Sequence, residues 1–499
     1  MKGFSFEKLY AWLWPFSRDE VKKFLPLALM MFCILFNYTI VRDIKDALIV
    51  KEAGAEIISF IKFWVVMPLA MLFVLLYSKL SNVFSKDQLF QWITLVFVIF
   101  FAAFGFVLYP LRDILLPNPD SVASVIASLP AMRWFIMIYA KWIYILFYAF
   151  AELWGSVIIS LLFWQFANQI TSVSEAKKYY PMFGLVGNLG LIVSGQTLKG
   201  MTLYGQKIVG DHGNPFDITL QYILVLFIFF GLFFIYLYRM INKDIVNRPD
   251  LYNTNLVSSG KKKLKLSFKD SVKLIISSRY LFLIFIIVIS YGVSINLVEV
   301  TWKKQVGYAF TSINDYAAFM GDFSTYTGIM TILIMFVGSS IIRFFGWLAA
   351  AVITPVVLLI TSFLFFNTII FKDALIGLTC AFGTTPLMLA VIIGMIQNIL
   401  TKASKYSLFD ATKEMAYIPL DEELKVKGKA AIDVVGSRLG KSGGSLIQQL
   451  MLTFIAAGAV NGQEIIAPYL FAFIAIMIIA WIFAARGLSK EFIKNTASS

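Results

Sequence analysis

Four apolar stretches of this chain carry ionisable side chains at positions where a membrane-spanning helix ordinarily carries none. NYTIVRDIKDAL gathers Arg42, Asp43, Lys45 and Asp46, and YAKWIYILFYAFAELWGS separates Lys141 from Glu152 by eleven residues, which places them close to one helical face. SINLVEVTWKKQ sets Glu299 one turn before Lys303, with Lys304 next to it; AAIDVVGSRLGKSGGSLIQQ holds Asp433, Arg438 and Lys441. A charge at the centre of a bilayer helix costs about 2.5–3.5 kcal/mol on insertion, so such groups pair with one another or line a cavity. Arg42, Asp46, Lys303 and Lys304 fit internal ion pairs, or helix ends snorkelling to the headgroups, as well as they fit a site. Glu152 and Lys441 lie far from any expected loop and point more directly to a chamber.

A chamber rich in Lys and Arg suits a polyanion, because both side chains give phosphate oxygens charge-assisted hydrogen bonds. GLVGNLG adds Asn188, with glycines that admit close backbone approach to a ligand. Aromatic residues make up 16% of the chain and supply rings able to stack on a nucleobase, although most of the 48 phenylalanines must face lipid or other helices. The segment GSRLGKSG, 436–443, imitates a phosphate-binding P-loop but has three residues where that motif needs four, and no strand precedes it. Its glycines suit tight helix packing or local unwinding instead. No metal-ligand cluster, complete P-loop or nucleophile with an adjacent base is legible, which disfavours an enzyme and implies no cofactor. Cys33 and Cys380 read as small buried side chains, and the single histidine, His212, sits in the polar loop GDHGNP.

Only helices long enough to cross a bilayer can hold these groups in place. Of the 499 residues 59% are hydrophobic and 14% charged, against about 25% charged in a soluble domain. Apolar windows of roughly twenty residues, the length that crosses ~30 Å of hydrocarbon, predict about twelve spans. They fall at 24–50, 57–78, 89–110, 134–168, 179–203, 217–241, 280–301, 322–343, 345–370, 373–402, 429–459 and 464–485; the fourth is long enough to begin with an interfacial piece or to tilt. The net charge of +14 does not indicate nucleic acid, because the bases collect in loops on one side: Lys22, Lys23, Lys177, Lys178, Lys261, Lys262, Lys263, Lys402, Lys405, Arg486 and Lys490. The positive-inside rule makes that side, and both termini, cytoplasmic.

The expected fold is therefore an all-α polytopic membrane protein of major-facilitator-like 6+6 architecture. Its parts are an interfacial cytoplasmic N-terminus (1–23), a first six-helix half (24–241), a basic linker with KKKLKLSFK (242–279), a second half (280–485) and a cytoplasmic tail (486–499). A repeat between the halves is suggested by VGNLG at 186–190 against VGSRLG at 435–440, and by NQIT at 168–171 against NILT at 398–401. The N-terminal segment, with Tyr10, Trp12, Trp14 and Phe16, has neither the apolar core of a signal peptide nor the character of a transit peptide.

Long blocks in both halves resemble the ATP/ADP translocase (nucleotide transport protein) family of obligate intracellular bacteria and plastids. They are NYTIVRDIKDALIV, AELWGSVIISLLFWQFANQITSVSEAKKYYPMFG, YGVSINLVEVTWK and KYSLFDATKEMAYIPLDEELKVKGKAAIDVVGSRLGKSGG. The resemblance covers essentially the whole chain. It implies a twelve-helix carrier that imports host ATP against ADP, with phosphate moving alongside and without hydrolysis; the missing transit peptide argues for the bacterial inner membrane over a plastid one, and the chain is expected to act as a monomer. It also implies essential roles for Lys45 in RDIKD, Glu152 in AELWG, Glu299 in NLVEVTWK and Lys441 in LGKSGG, with Asn188 matching the family's span-five asparagine. Arg42, Asp43, Lys141, Lys303 and Arg438 are further candidates. The family also contains proton-coupled importers of ribonucleoside triphosphates and NAD exchangers, and these remain alternatives at this stage.

Overall fold

The computed structural model describes residues 18–210, 213–243, 268–420, 422–432, 436–457, 459 and 461–497. His212, the aromatic N-terminal residues, most of the basic linker and Asp433 fall outside the described residues. The first half is built from α1 (Arg18–Glu52), α2 (Ile57–Leu80), α3 (Lys86–Leu108), α4 (Trp142–Ile170), α5 (Val173–Val209) and α6 (Pro215–Ile241). In the second half α7 (Arg279–Ala309) is followed by the stretch Ile313–Ile370, broken at Gly346 into α8 (313–345) and α9 (347–370). The φ of +79° at Gly346 lies in the left-handed region that glycine enters without penalty. α10 (Pro386–Ala416), α11 (Ser437–Phe454) and α12 (Gly462–Ala497) complete the bundle.

Backbone polarity explains why nothing but helix crosses: in hydrocarbon each N–H and C=O must find its partner within its own segment. Ten helices among the described residues are long and apolar enough to cross a bilayer; α5 and α11 are the polar pair that brings the number to twelve. Their ends follow local chemistry. Ser85 with Gln88 and Ser172 with Glu175 form reciprocal capping boxes at the starts of α3 and α5, and Asn214 before Pro215 caps α6.

Several expected boundaries moved for identifiable reasons. Span four divides into a short helix, Arg133–Ala140, and α4, because Lys141 at the joint has non-helical dihedrals (φ −112°, ψ 30°). Span ten runs deeper than 373–402: α10 starts at Pro386, and its charged continuation, π-helical over Lys405–Phe409, extends the helix to Ala416. Lys402 therefore sits inside a helix rather than in a basic loop. NILT falls mid-way along α10 while NQIT ends α4, so that part of the repeat does not align in depth. Cys33 is buried as expected, but Cys380 is exposed on the short helix that precedes α10.

The halves meet along three seams: α5 with α8, α2 with α11, and α1 with both α7 and α8. At the first, Gly195 and Gly321 face each other so closely that a Cβ on either would run into the other's carbonyl oxygen. Gly195→Leu is expected to destabilise the protein by about 1–3 kcal/mol through overpacking, whereas Gly200→Ala, where nothing lies within 4 Å, is expected to be near neutral. Thermal unfolding of the two variants in the same detergent checks both.

Candidate functional site

The intramembrane charges form one chain of alternating sign that runs from half to half. Glu152 on α4 pairs with Lys45 on α1 at 3.0 Å, and Lys45 pairs with its neighbour Asp46 at 2.9 Å. Asp46 reaches across to Lys303 on α7 at 2.8 Å; Lys303 also meets Glu299 at 3.2 Å, and Glu299 holds Lys402 on α10 at 3.2 Å. The three central groups are almost wholly enclosed, with side-chain exposures of 2% for Lys45, 1% for Asp46 and 2% for Lys303. The outer carboxylates are more open, Glu152 at 25% and Glu299 at 18%. The ends of the chain face a space, and its middle is a seam.

Local structure explains the placement. Trp154 donates to the carbonyl of Ile34 and fixes α4 against α1, while Trp302 donates to the carbonyl of Val391 and fixes α7 against α10. In each half an indole thus locks together the two helices that share an ion pair. Glu152 lies ten residues from the start of α4 and Glu299 ten before the end of α7. At 1.5 Å per residue that is about 15 Å, close to the midplane of a bilayer ~30 Å thick. Lys45 also lies over the ring of Tyr148 at 3.9 Å, and Lys402 over Phe323 at 4.7 Å. π-helical turns begin at Lys62 and Gly155, next to this region, where an extra residue per turn re-aims side chains.

A second pair, Arg42 with Asp43 at 3.0 Å, is completed by Ser324 of α8, which accepts from Arg42 and donates to Asp43. Beyond it the halves are closed. Lys304 pairs with the enclosed Glu56 at 2.8 Å, Lys51 donates to the carbonyls of Gly307 and Phe310, Lys199 pairs with Asp322, and Gln206 donates to Asp315. Trp64 and Ser59 reach Gln449 and Gln448. These residues belong to the helix ends remote from both termini. Of the polar contacts that join described residues of the two halves, only Asn188 against Met335 lies nearer the terminus side. Among the described residues the polar contacts between the halves thus gather at the end remote from both termini.

Not every candidate joins the chain. Lys141 pairs with Glu52 at the remote rim, because the break before α4 takes it off the face that carries Glu152. Asn188 donates to the carbonyl of Gly184 within α5. The glycines around it admit α1, Gly190 against the Phe32 carbonyl, where a ligand was expected. Lys441 and Arg438 lie on α11, and their side chains fall outside the described residues.

A family model described as TLC ATP/ADP transporter matches residues 1–492. The chain belongs to the TLC ATP/ADP transporter family. It is 47% identical over 502 residues to ADP,ATP carrier protein 1 of Chlamydia pneumoniae, covering 99% of this chain and 95% of that one. It is 45% identical to ADP,ATP carrier protein 1 of Rickettsia prowazekii, over 96% of this chain and 95% of the relative. Among solved structures it is similar to a bacterial homologue of the iron transporter ferroportin in an inward-facing state (TM-score 0.59, 11% identity, 94% of this chain and 98% of that one). It also resembles the xylose transporter XylE from E. coli, partially occluded and inward open (TM-score 0.51, 12% identity, 95% and 98%). At that identity the likeness establishes the fold: the TLC chain has the two-half carrier architecture that the span count implied.

Two members of the ion chain carry more weight than the sequence reading gave them. Asp46 fits a local pair by sequence, yet it is the carboxylate that links the halves; Lys402 counted as a loop base, yet it ends the chain. Adjacent opposite charges in IKDA were the only available signal for the first, and for the second the place of Lys402 as the last residue of the apolar window 373–402 made it read as a loop base. Asp46→Asn is expected to destabilise the protein by about 3–5 kcal/mol, since removing one partner leaves buried charge behind. Adding Lys303→Met is expected to restore part of that loss, so a double-mutant cycle on unfolding should return a favourable coupling energy.

Proposed function

We propose that this chain is a carrier that exchanges external ATP for internal ADP by alternating access, without hydrolysing either. The observation that carries the reading is the chain of charges from Glu152 to Lys402, which joins both halves at mid-membrane depth in a fold that rocks about such a site. Two of its relatives, quoted above, bear the name ADP,ATP carrier protein.

In this reading the polyphosphate takes over the lysines. In the structure Glu152 holds Lys45, and Glu299 holds Lys303 and Lys402. An entering nucleotide offers phosphate oxygens to the same ammonium groups, and Lys441 on α11 contributes from the second half. Binding therefore exchanges one set of ion pairs for another. An empty site whose cations are only partly neutralised reorients slowly, which makes transport an exchange. ATP carries one more negative charge than ADP, and phosphate leaving with ADP offsets that difference. The family alternative of proton coupling needs a carboxyl that protonates during the cycle. Pairing of both Glu152 and Glu299 with lysines favours exchange.

The basic face with both termini is assigned to the cytoplasm, which makes this conformation inward-facing in the bacterial inner membrane; the working unit is taken as one chain. Proteoliposomes loaded with ADP are expected to accumulate labelled ATP, empty ones to take up little, and a proton uncoupler to change neither. Lys45→Gln and Glu299→Gln are each expected to reduce exchange by about tenfold or more, the loss of one charge-assisted contact. Uptake that persists in empty vesicles and collapses with the uncoupler would assign the chain to proton symport.

A further inference from the structure

Lys62 stands apart from the other cations of the chamber. It opens the π-helical turn Lys62–Val66 of α2, and its ammonium donates to the side-chain oxygen of Asn296 on α7 at 2.6 Å. It lies within electrostatic reach of Glu299, Lys303, Glu152 and Lys45. Among the described residues, however, no carboxylate pairs with it: Glu152 is taken by Lys45, and Glu299 by Lys303 and Lys402. Counting the groups described around the chamber, the five cations Arg42, Lys45, Lys62, Lys303 and Lys402 face the four carboxylates Asp43, Asp46, Glu152 and Glu299. Of these five cations Lys62 is the one with no carboxylate of this set within ion-pair distance.

An ammonium inside a membrane that is hydrogen-bonded to an amide, with the nearby carboxylates held by other lysines, is poorly compensated, since the close attraction of a counter-charge is what offsets its desolvation. Asn296 in turn donates to Ser445 of α11 at 2.9 Å. The ammonium of Lys62 thus has hydrogen-bonding neighbours from α7 and α11, on the seam between the halves. Its complement is a small oxyanion. The bond it now makes also joins the halves, so an anion that captures the ammonium from Asn296 loosens the α2–α7 contact as it binds.

We infer that Lys62 is the seat of a phosphate group, separate from the Lys45–Glu152 pair and coupled to the closed end through Asn296. The inference rests on the nucleotide-carrier reading. Two sources share this chemistry, the terminal phosphate of a nucleoside triphosphate and free orthophosphate, and binding to the full-length protein in nanodiscs separates them. If the terminal phosphate sits here, Lys62→Gln is expected to weaken ATP about tenfold while leaving ADP within twofold. If orthophosphate sits here, ATP binding is expected to stay unchanged, and the gain in ADP affinity on adding orthophosphate to be lost. Lys62→Arg keeps the charge and is expected to keep most of the effect. Asn296→Asp supplies an internal counter-ion and is expected to reproduce the loss with Lys62 still present. Unchanged binding of ATP, and of ADP with orthophosphate, in both Lys62→Gln and Asn296→Asp would overturn the assignment. So would an equal loss of ATP and ADP in Lys62→Gln. Wild-type protein that binds neither nucleotide would overturn the carrier reading itself, a separate result.

Discussion

The carboxylate of Asp46, enclosed between Lys45 and Lys303, is the constraint on which the rest of the structure depends. Two ammonium groups from opposite halves cannot lie this close in hydrocarbon without an anion between them, and that anion cannot be enclosed without them. The halves therefore dock at one depth and in one register. The aromatic locks at Trp154 and Trp302, the glycine crossing of α5 and α8, and the kink at Gly346 serve to bring four helices to that point. The sign of charge is inverted between the halves: α1 lysine on α4 glutamate in one, α7 glutamate on α10 lysine in the other. A polyanion entering between them meets a cation from either side.

Closure at the remote end follows from where polar contacts between the halves are made among the described residues. The remote helix ends are joined by Lys304 with Glu56, by Lys51 on two carbonyls and by Lys199 with Asp322. Rocking to the opposite state must break these, and a substrate supplies the compensation only by changing which groups the central lysines hold. A ligand that bound both states equally would shift nothing, however tightly it bound. Coupling binding to the central pairs is what makes one conformation respond to the contents of the site.

Much of this was legible in the sequence because membrane physics leaves few alternatives. The twelve apolar windows, the two halves and the intramembrane positions of Lys45, Glu152 and Glu299 all follow from hydropathy and the expense of burying charge. What stayed hidden was partnership. Hydropathy shows that Asp46 and Lys402 are charged but not that a helix from the other side of the molecule reaches them. Lys141 and Glu152 share a face only in an unbroken helix, and the non-helical dihedrals at Lys141 remove that premise. GLVGNLG reads equally as a ligand cradle or a helix crossing, and the packing of Phe32 against Gly190 decides for the crossing. Lys62 is a lone base in the apolar window 57–78 that the sequence reading passed over; its significance lies in its partners, which only three-dimensional neighbours reveal.

The central claim is that nucleotide replaces the carboxylates on the central lysines. A structure of the protein determined with ADP bound tests it most directly, by comparing the separations of Lys45 from Glu152 and of Lys303 from Glu299, now 3.0 and 3.2 Å. The account predicts that at least one of these pairs opens beyond the 4 Å reach of an ion pair while its lysine contacts a phosphate oxygen. Both pairs intact, with the phosphates held elsewhere, would contradict it.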